Sequence, residues 1–378
     1  CIKLCLTGIA FSAGSTVEKA KFLITDDEQH EQAIKILEAH LKKQPKDSEA
    51  WFWLAVAHYE RGSVQQIKTI NAMTKAFSIG LEPALQLRGH TILGWSHYYT
   101  AGFKDAVKQF NLALRIDNTH SEARKGRGMA YTAMDKASLA IQDLTVYLDR
   151  FPDDTDALIE RGKAHLTNNS YNMALNDLST VQKQESNFWN LIEIHINKGW
   201  AHHFLGQYKE ALNEFNTIIP KLAPNSPWDA IPALRGRAFA LLGLNRHEEA
   251  WQALSEAMNY KTSFNINDYY ENSEPEKAMV LYVMGKKKEA YLLWGGSADQ
   301  AEKQIRNSRL IAGMVAPVDK VTEDQVAVVS TDNQDVVETN ILKIEGIKVD
   351  PIPVKGGESF FVQIDIFTDY GRKNQKKK

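Results

Sequence analysis

GWSHYYTAGFKDAVKQF (Gly94–Phe110), GMAYTAMDKASLAIQDL (Gly128–Leu144) and GKAHLTNNSYNMALNDL (Gly162–Leu178) are three successive occurrences of one pattern. Each begins 34 residues after the last. Ala106, Ala140 and Ala174 follow their glycines by 12 residues, and Phe110, Leu144 and Leu178 follow those alanines by 4. Three independent columns with one period mark a structural repeat. Each unit reads as two short amphipathic helices. The glycine and the alanine let the two helices approach closely, and the large apolar residue one turn on fills the groove beside them. A unit of this size cannot bury its apolar stripe alone, so it must stack on its neighbours.

The pattern extends in both directions. Ala33, Leu37 and Pro45 fit a second helix upstream, and Trp51, Leu54, Ala55 and Gly62 fit the first helix and turn that follow. Downstream, Gly199, Gly206, Ala211, Phe215 and Pro224 fit another unit, Ala238, Ala250 and Leu254 the next, and Gly285, Ala290 and Trp294 a last one. These columns resemble the tetratricopeptide repeat. The resemblance implies an all-α, right-handed superhelical solenoid of about eight helical hairpins. Insertions fall after Ala76, after Ser186 and near Pro227, and the leading helix of the first unit, about Ser15–Thr25, carries little of the pattern. Ser297-Ala-Asp-Gln300 reads as a capping box that opens a further helix to about Ile311, covering the end of the last repeat.

Bulk properties exclude several function classes. The 378 residues carry a formal net charge of -2, which gives no electrostatic case for nucleic acid or an anionic membrane. Both cysteines, Cys1 and Cys5, lie at the extreme N-terminus, so the body has no disulfide framework and no Cys-based zinc site.

The two ends differ from the body. Residues 1–13, CIKLCLTGIAFSA, are apolar apart from Lys3, too short to span a bilayer, and end in small residues. Within residues 1–14 we expect a secretory segment with its cleavage zone, or its remnant. Cys1 as the lipid-bearing residue of a bacterial lipoprotein is a second reading, and a buried cap on the solenoid is a third. Membrane contact is expected only through such an anchor, and export places the protein in the periplasm or cell envelope; the alternative is cytoplasmic. The solenoid is expected over 15–312 and an acidic linker over 313–340. A small β-hairpin or partial β-sandwich follows at 341–370, where the period falls to two, and a basic tail at 371–378.

No catalytic constellation stands out: the chain has no Gly-rich phosphate loop, no H-E-x-x-H and no nucleophile elbow. His195, His202 and His203 with Glu193 are the best metal candidates. The repeat register puts His195 and His202 at core-facing positions, where a ring filling a slot is preferred to a ligand. No enzyme activity, metal or cofactor is therefore expected. What remains is a binding surface. In stacked hairpins of this family the first helix of each unit lines the groove. In this register the groove carries Phe52, Val56, Tyr59, Arg88, Thr91, Trp95, Tyr98, Tyr99, Lys125, Met129 and Lys163. It continues with Ile196, Trp200, His203, Phe204, Arg235 and Phe239. Aromatic rings with a few basic groups suit a peptide, the rings giving contact area and the cations fixing a carboxylate or carbonyl. Thr91, Trp95, Lys125 and Met129 do not reproduce the Lys/Asn/Arg clamp of the family's chaperone-tail binders. The expected function is a scaffold or adaptor for a protein or peptide partner within an envelope assembly. Two alternatives are a carbohydrate- or peptidoglycan-associated protein and a regulatory subunit that docks by C-terminal strand addition.

Overall fold

The structure is a computed structural model that describes residues 15–25, 29–183, 185–222, 227–263 and 274–311, with Met314. The chain divides into two units, Cys1–Asp319 and Lys320–Lys378. The second unit lies outside the described residues, as do residues 1–14. The expected leader, β element and basic tail, and all but one residue of the linker, fall there.

Seventeen α-helices occur among the described residues. Sixteen of them pair into eight consecutive hairpins, α1 (Thr16–Thr25) with α2 (His30–Lys43) and α3 (Ser48–Glu60) with α4 (Gln66–Ile79) forming the first two. α5 (Pro83–Tyr99) with α6 (Phe103–Ile116), α7 (Ser121–Ala133) with α8 (Ala137–Leu148) and α9 (Thr155–Thr167) with α10 (Tyr171–Gln182) make the regular block. α11 (Phe188–Phe204) pairs with α12 (Tyr208–Ile218), α13 (Pro227–Gly243) with α14 (His247–Ser263) and α15 (Glu274–Val283) with α16 (Lys287–Trp294). The expected weak first helix is therefore present. Pro232 lies inside α13. The first helices from α1 to α11 each touch the next first helix, and each second helix from α2 to α14 wedges between the first helices of its own and the following hairpin.

The glycine columns act by forbidding a side chain. A Cβ on Gly94 would sit 2.6 Å from the Phe110 ring, one on Gly162 2.9 Å from Leu178, and one on Gly199 2.6 Å from Phe215. Ala106, Ala140, Ala174 and Ala211 have no exposed surface. Phe110 also abuts Gly126 of the next hairpin, and Phe215 abuts Gly236, so each ring is wedged between two first helices. Such rings carry about 3–5 kcal/mol each by comparison with Phe→Ala changes in other cores.

Three further columns share the period. A capping residue lies eight before the column position: Asp47 accepts from the Ala50 N–H at 2.9 Å, His120 Nδ1 from Ala123 at 3.2 Å and Asp154 from Ala157 at 2.9 Å. A left-handed residue lies seven after it, at Gly62, Ala101, Asp135, Asn169, Gly206, Asn245 and Gly285, where the chain reverses between helices. The third column is a polar ladder. Arg127 donates from Nε and Nη2 to Asp143 at 2.6 and 2.7 Å and from Nη1 to Asn111 at 2.7 Å. Arg161 repeats this with Asp177 at 2.8 Å and Thr145 at 3.3 Å, and Lys198 with Glu214 at 2.8 Å and Gln182 at 2.6 Å. Each cation sits just before its column glycine and bridges the second helices on either side. Removing one partner of such a pair leaves a part-buried charge without its counter-ion, whereas replacing both by apolar groups is often close to neutral.

α17 (Ala298–Arg306) closes the series. Ser297 Oγ accepts from the Gln300 N–H at 3.3 Å, the expected cap, but the helix stops at Arg306 rather than running to Ile311. Arg309–Ile311 forms a separate 3-10 turn that lies against α11 and α13.

Candidate partner-binding face

The row of first helices α5, α7, α9, α11 and α13 presents one face away from the second helices. The structure sorts the expected groove residues along it. Phe52 and Phe239 have no exposed surface, and Val56 has none either. His203 is 3% exposed and Trp95 7%. These are core side chains rather than groove contacts. Phe52 is covered by its neighbours around Trp53, while Phe239 packs against Trp200 and His203. Tyr59, Tyr98, Met129 and Trp200 are half-buried, and Arg88 and Tyr99 are exposed.

Trp95 acts as the base of a platform. Tyr99 stacks on it at 5.9 Å and 24°, Tyr98 meets it edge-on at 5.7 Å, and Phe110 backs it at 5.5 Å. Tyr99 remains 55% exposed, so its ring offers an apolar surface on a rigid support. Burial pushes the Tyr98 hydroxyl up to about 12, so it stays a neutral donor.

Charge on this face is carried by pairs. Lys125 Nζ lies 2.9 Å from Asp154 and 3.6 Å from Asp156. Lys163 Nζ lies 2.9 Å from Glu160 and 2.8 Å from Glu193. Burial holds the Glu160 carboxyl above its usual range. Burial also opposes the charge of Lys163, but Glu160 and Glu193 outweigh it and raise its pKa. Each lysine thus faces two carboxylates, and exposed Glu122 adds another. Arg88, 4.0 Å from Glu60, is the remaining cation of the expected set over α3–α9. The face leans acidic. Glu122, Asp156 and Glu193 each lie six residues before a column glycine, so this acidic row has a recurring spacing in the sequence. Trp189 was also missed: 63% exposed at the start of α11, it borders a depression shared with Lys163, Glu193, Ile196, Asn197, Asp229 and Pro232.

Towards α13 the face changes. Trp200 stacks on Phe204 at 5.7 Å, and Phe204 on Tyr171 at 5.2 Å. His203 Nε2–H donates to the Leu310 carbonyl at 2.8 Å. Burial lowers its pKa to about 4, so the ring is neutral at physiological pH. Arg235 forms a two-pronged pair with Glu276 of α15. The three histidines considered for a metal go to separate partners: His195 to Glu214 at 2.6 Å, His202 to Gln207 at 2.6 Å and His203 to Leu310. Among the described residues no group of three metal-ligating side chains converges, and no helix is long and apolar enough to cross a membrane.

Stacked helical hairpins with a common side-chain register define a helical-repeat protein, whose long open face suits interaction with other chains. The tetratricopeptide repeat family model matches residues 26–66 and again 192–219. These two stretches match tetratricopeptide repeats, and the shared columns carry the same register through the hairpins between them. No curated protein matches the chain. Among solved structures it is similar to a tetratricopeptide repeat protein from Parabacteroides merdae, at 17% identity over 71% of this chain and 96% of that one, with a TM-score of 0.49. It is also similar to the C-terminal part of a repeat protein from Cytophaga hutchinsonii (18% identity, 64% and 95% of the chains, TM-score 0.46). A third is YrrB, described as having an unusual peptide-binding site (18%, 50% and 89%, TM-score 0.40).

Proposed function

We propose that the chain is a non-enzymatic scaffold that holds a segment of a partner polypeptide along the face of α5, α7, α9 and α11. The observation that carries this is the pairing of exposed rings, Tyr99 and Trp189, with the acidic surplus around Lys125 and Lys163 between them. Rings on a rigid base give contact area at low entropic cost, and carboxylates favour a partner segment with basic residues. The test is affinity capture from the native source with the unaltered chain and with a Tyr99→Ala, Trp189→Ala, Glu122→Lys variant. These side chains are exposed, so the fold is retained, as circular dichroism checks. A partner held by the unaltered chain is expected to be lost from the variant. Equal capture by both moves the interface off this face.

The setting we propose is a cell-envelope assembly, on the strength of the apolar stretch at residues 1–13. Cell fractionation with mass spectrometry of the native N-terminus tests it. A soluble cytoplasmic chain that retains this stretch sinks it.

A further inference from the structure

The turn Arg309–Ile311 lies against helices far back in the sequence. Leu310 meets His203, 107 residues earlier, and Arg309 meets Asn169, 140 residues earlier. The Arg309 guanidinium sits 4.7 Å from the Phe204 ring and donates to Asn169 Oδ1 at 3.3 Å. Its partners among the described residues are neutral. His203 reads the Leu310 carbonyl, a backbone group that any polypeptide can supply. Ile311 is wholly buried and roots the turn in the core.

An open pocket of about 300 Å3 lies beside Arg309 and Leu310, walled by Leu166, Trp200, Phe204, Pro232 and Arg235. Its wall includes the stacked rings of Trp200 and Phe204, so the turn leaves apolar ring surface beside it within reach from outside.

We propose that the pocket between α9, α11 and α13 recognises a partner segment carrying a cationic residue followed by a bulky apolar one, and that Arg309–Leu310 occupies it as an internal stand-in which this segment displaces. This rests on the reading that the first-helix face binds polypeptide, and extends it towards α13. The displacing segment repeats the cation over Phe204 and the carbonyl at His203 Nε2. A side chain larger than leucine at the second position fills the cavity and gains contacts that Leu310 leaves unmade. Tethering gives the stand-in a high effective concentration, so the site is closed to weak competitors. Ile311 serves as the hinge.

Fluorescence anisotropy on the full chain tests this with labelled peptides SRLIAGM (the sequence of residues 308–314), SRFIAGM and SELIAGM. A chain with Arg309→Ala and Leu310→Ala is expected to bind SRLIAGM at least tenfold more tightly than the unaltered chain does. SRFIAGM binds tighter still, and SELIAGM at least tenfold more weakly than SRLIAGM. Equal affinity of the two chains, or of the Arg and Glu peptides, overturns the proposal. Should the altered chain fail to fold, hydrogen exchange on the unaltered chain decides. Saturating SRFIAGM must speed exchange at Leu310 and Ile311 at least tenfold, and unchanged rates overturn the proposal. A dimer of the unaltered chain that disappears on opening the turn also overturns it, because the occupant is then a second copy. Failure of the peptide arm with partner capture intact removes the stand-in alone.

Discussion

The four hairpins from α5 to α12 form one block, and the last two hairpins use the same architecture differently. In the block the ladder repeats, Arg127 to Asp143, Arg161 to Asp177 and Lys198 to Glu214, and Tyr99 and Trp189 stay open. In the seventh hairpin the acid position is Ala253, and the cation of α13 that turns to a carboxylate, Arg235, reaches forward to Glu276 of α15. There the Arg309–Ile311 turn covers part of the face. Periodic contacts set how hairpins stack, whereas contacts without a period set where the face is open.

The largest expected effect bears on the periodic half. Phe110→Ala empties the wedge between Gly94 and Gly126 and should cost about 3–5 kcal/mol in denaturant unfolding. A loss under about 1 kcal/mol means that the ring is not the wedge. Next comes the covered end. Burial disfavours the charge of His203 and lowers its pKa from the ordinary 6.5 to about 4 in the folded chain. The native state then binds fewer protons than the unfolded state between those values, so stability is full above about 6.5 and falls with pH down to about 4. The drop is at most about 3.4 kcal/mol from this ring. His203→Gln should flatten that limb of the pH profile, and an unchanged profile places the titration elsewhere, His58 being the other buried ring pushed to about 4.

A smaller effect tests the ladder. Asp143→Ala leaves Arg127 facing Asn111 alone and should cost about 2 kcal/mol, less than for a fully buried pair because Arg127 keeps some exposure. Arg127→Met with Asp143→Leu should recover most of it. A double variant as unstable as the single one would mean that the ion pair supplies stability and not register. The smallest effect is at the turns. Ala101 holds a left-handed φ of 58° where Gly62, Gly206 and Gly285 occupy the same column. Ala101→Gly should gain about 0.5–1 kcal/mol in thermal unfolding, and a loss would mean that backbone strain is absent there.

Most of the fold was legible because its contacts fall within one period. Gly94 and Phe110, or Gly162 and Leu178, are close in sequence and recur, so spacing exposes them. The ladder was equally legible, since a cation precedes Gly128, Gly162 and Gly199 and an acid follows Ala140, Ala174 and Ala211 by three. It went unread because charged residues on helices usually face solvent. The turn column was half visible, as Gly62, Gly206 and Gly285 announce it while Ala101, Asp135 and Asn169 do not. Phe52, His203 and Phe239 were placed in the groove because register gives a residue's direction from its helix axis. Register does not say what lies beyond: the surroundings of Trp53 for one, and Leu310 and Trp200 for the others.

The amino-acid order alone settled a helical repeat, its interval, and which small residues meet which large ones, because nesting of neighbouring helices is a local and recurring steric demand. Only the folded chain settled which rings stay reachable, how acid outweighs base along the first helices, and that Arg309 returns to Asn169. The first two depend on what each hairpin presents to its neighbour, as Lys125 does to Asp154 and Asp156, and register alone does not show such coverage. The last joins segments 140 residues apart, an encounter that leaves no recurring spacing to read.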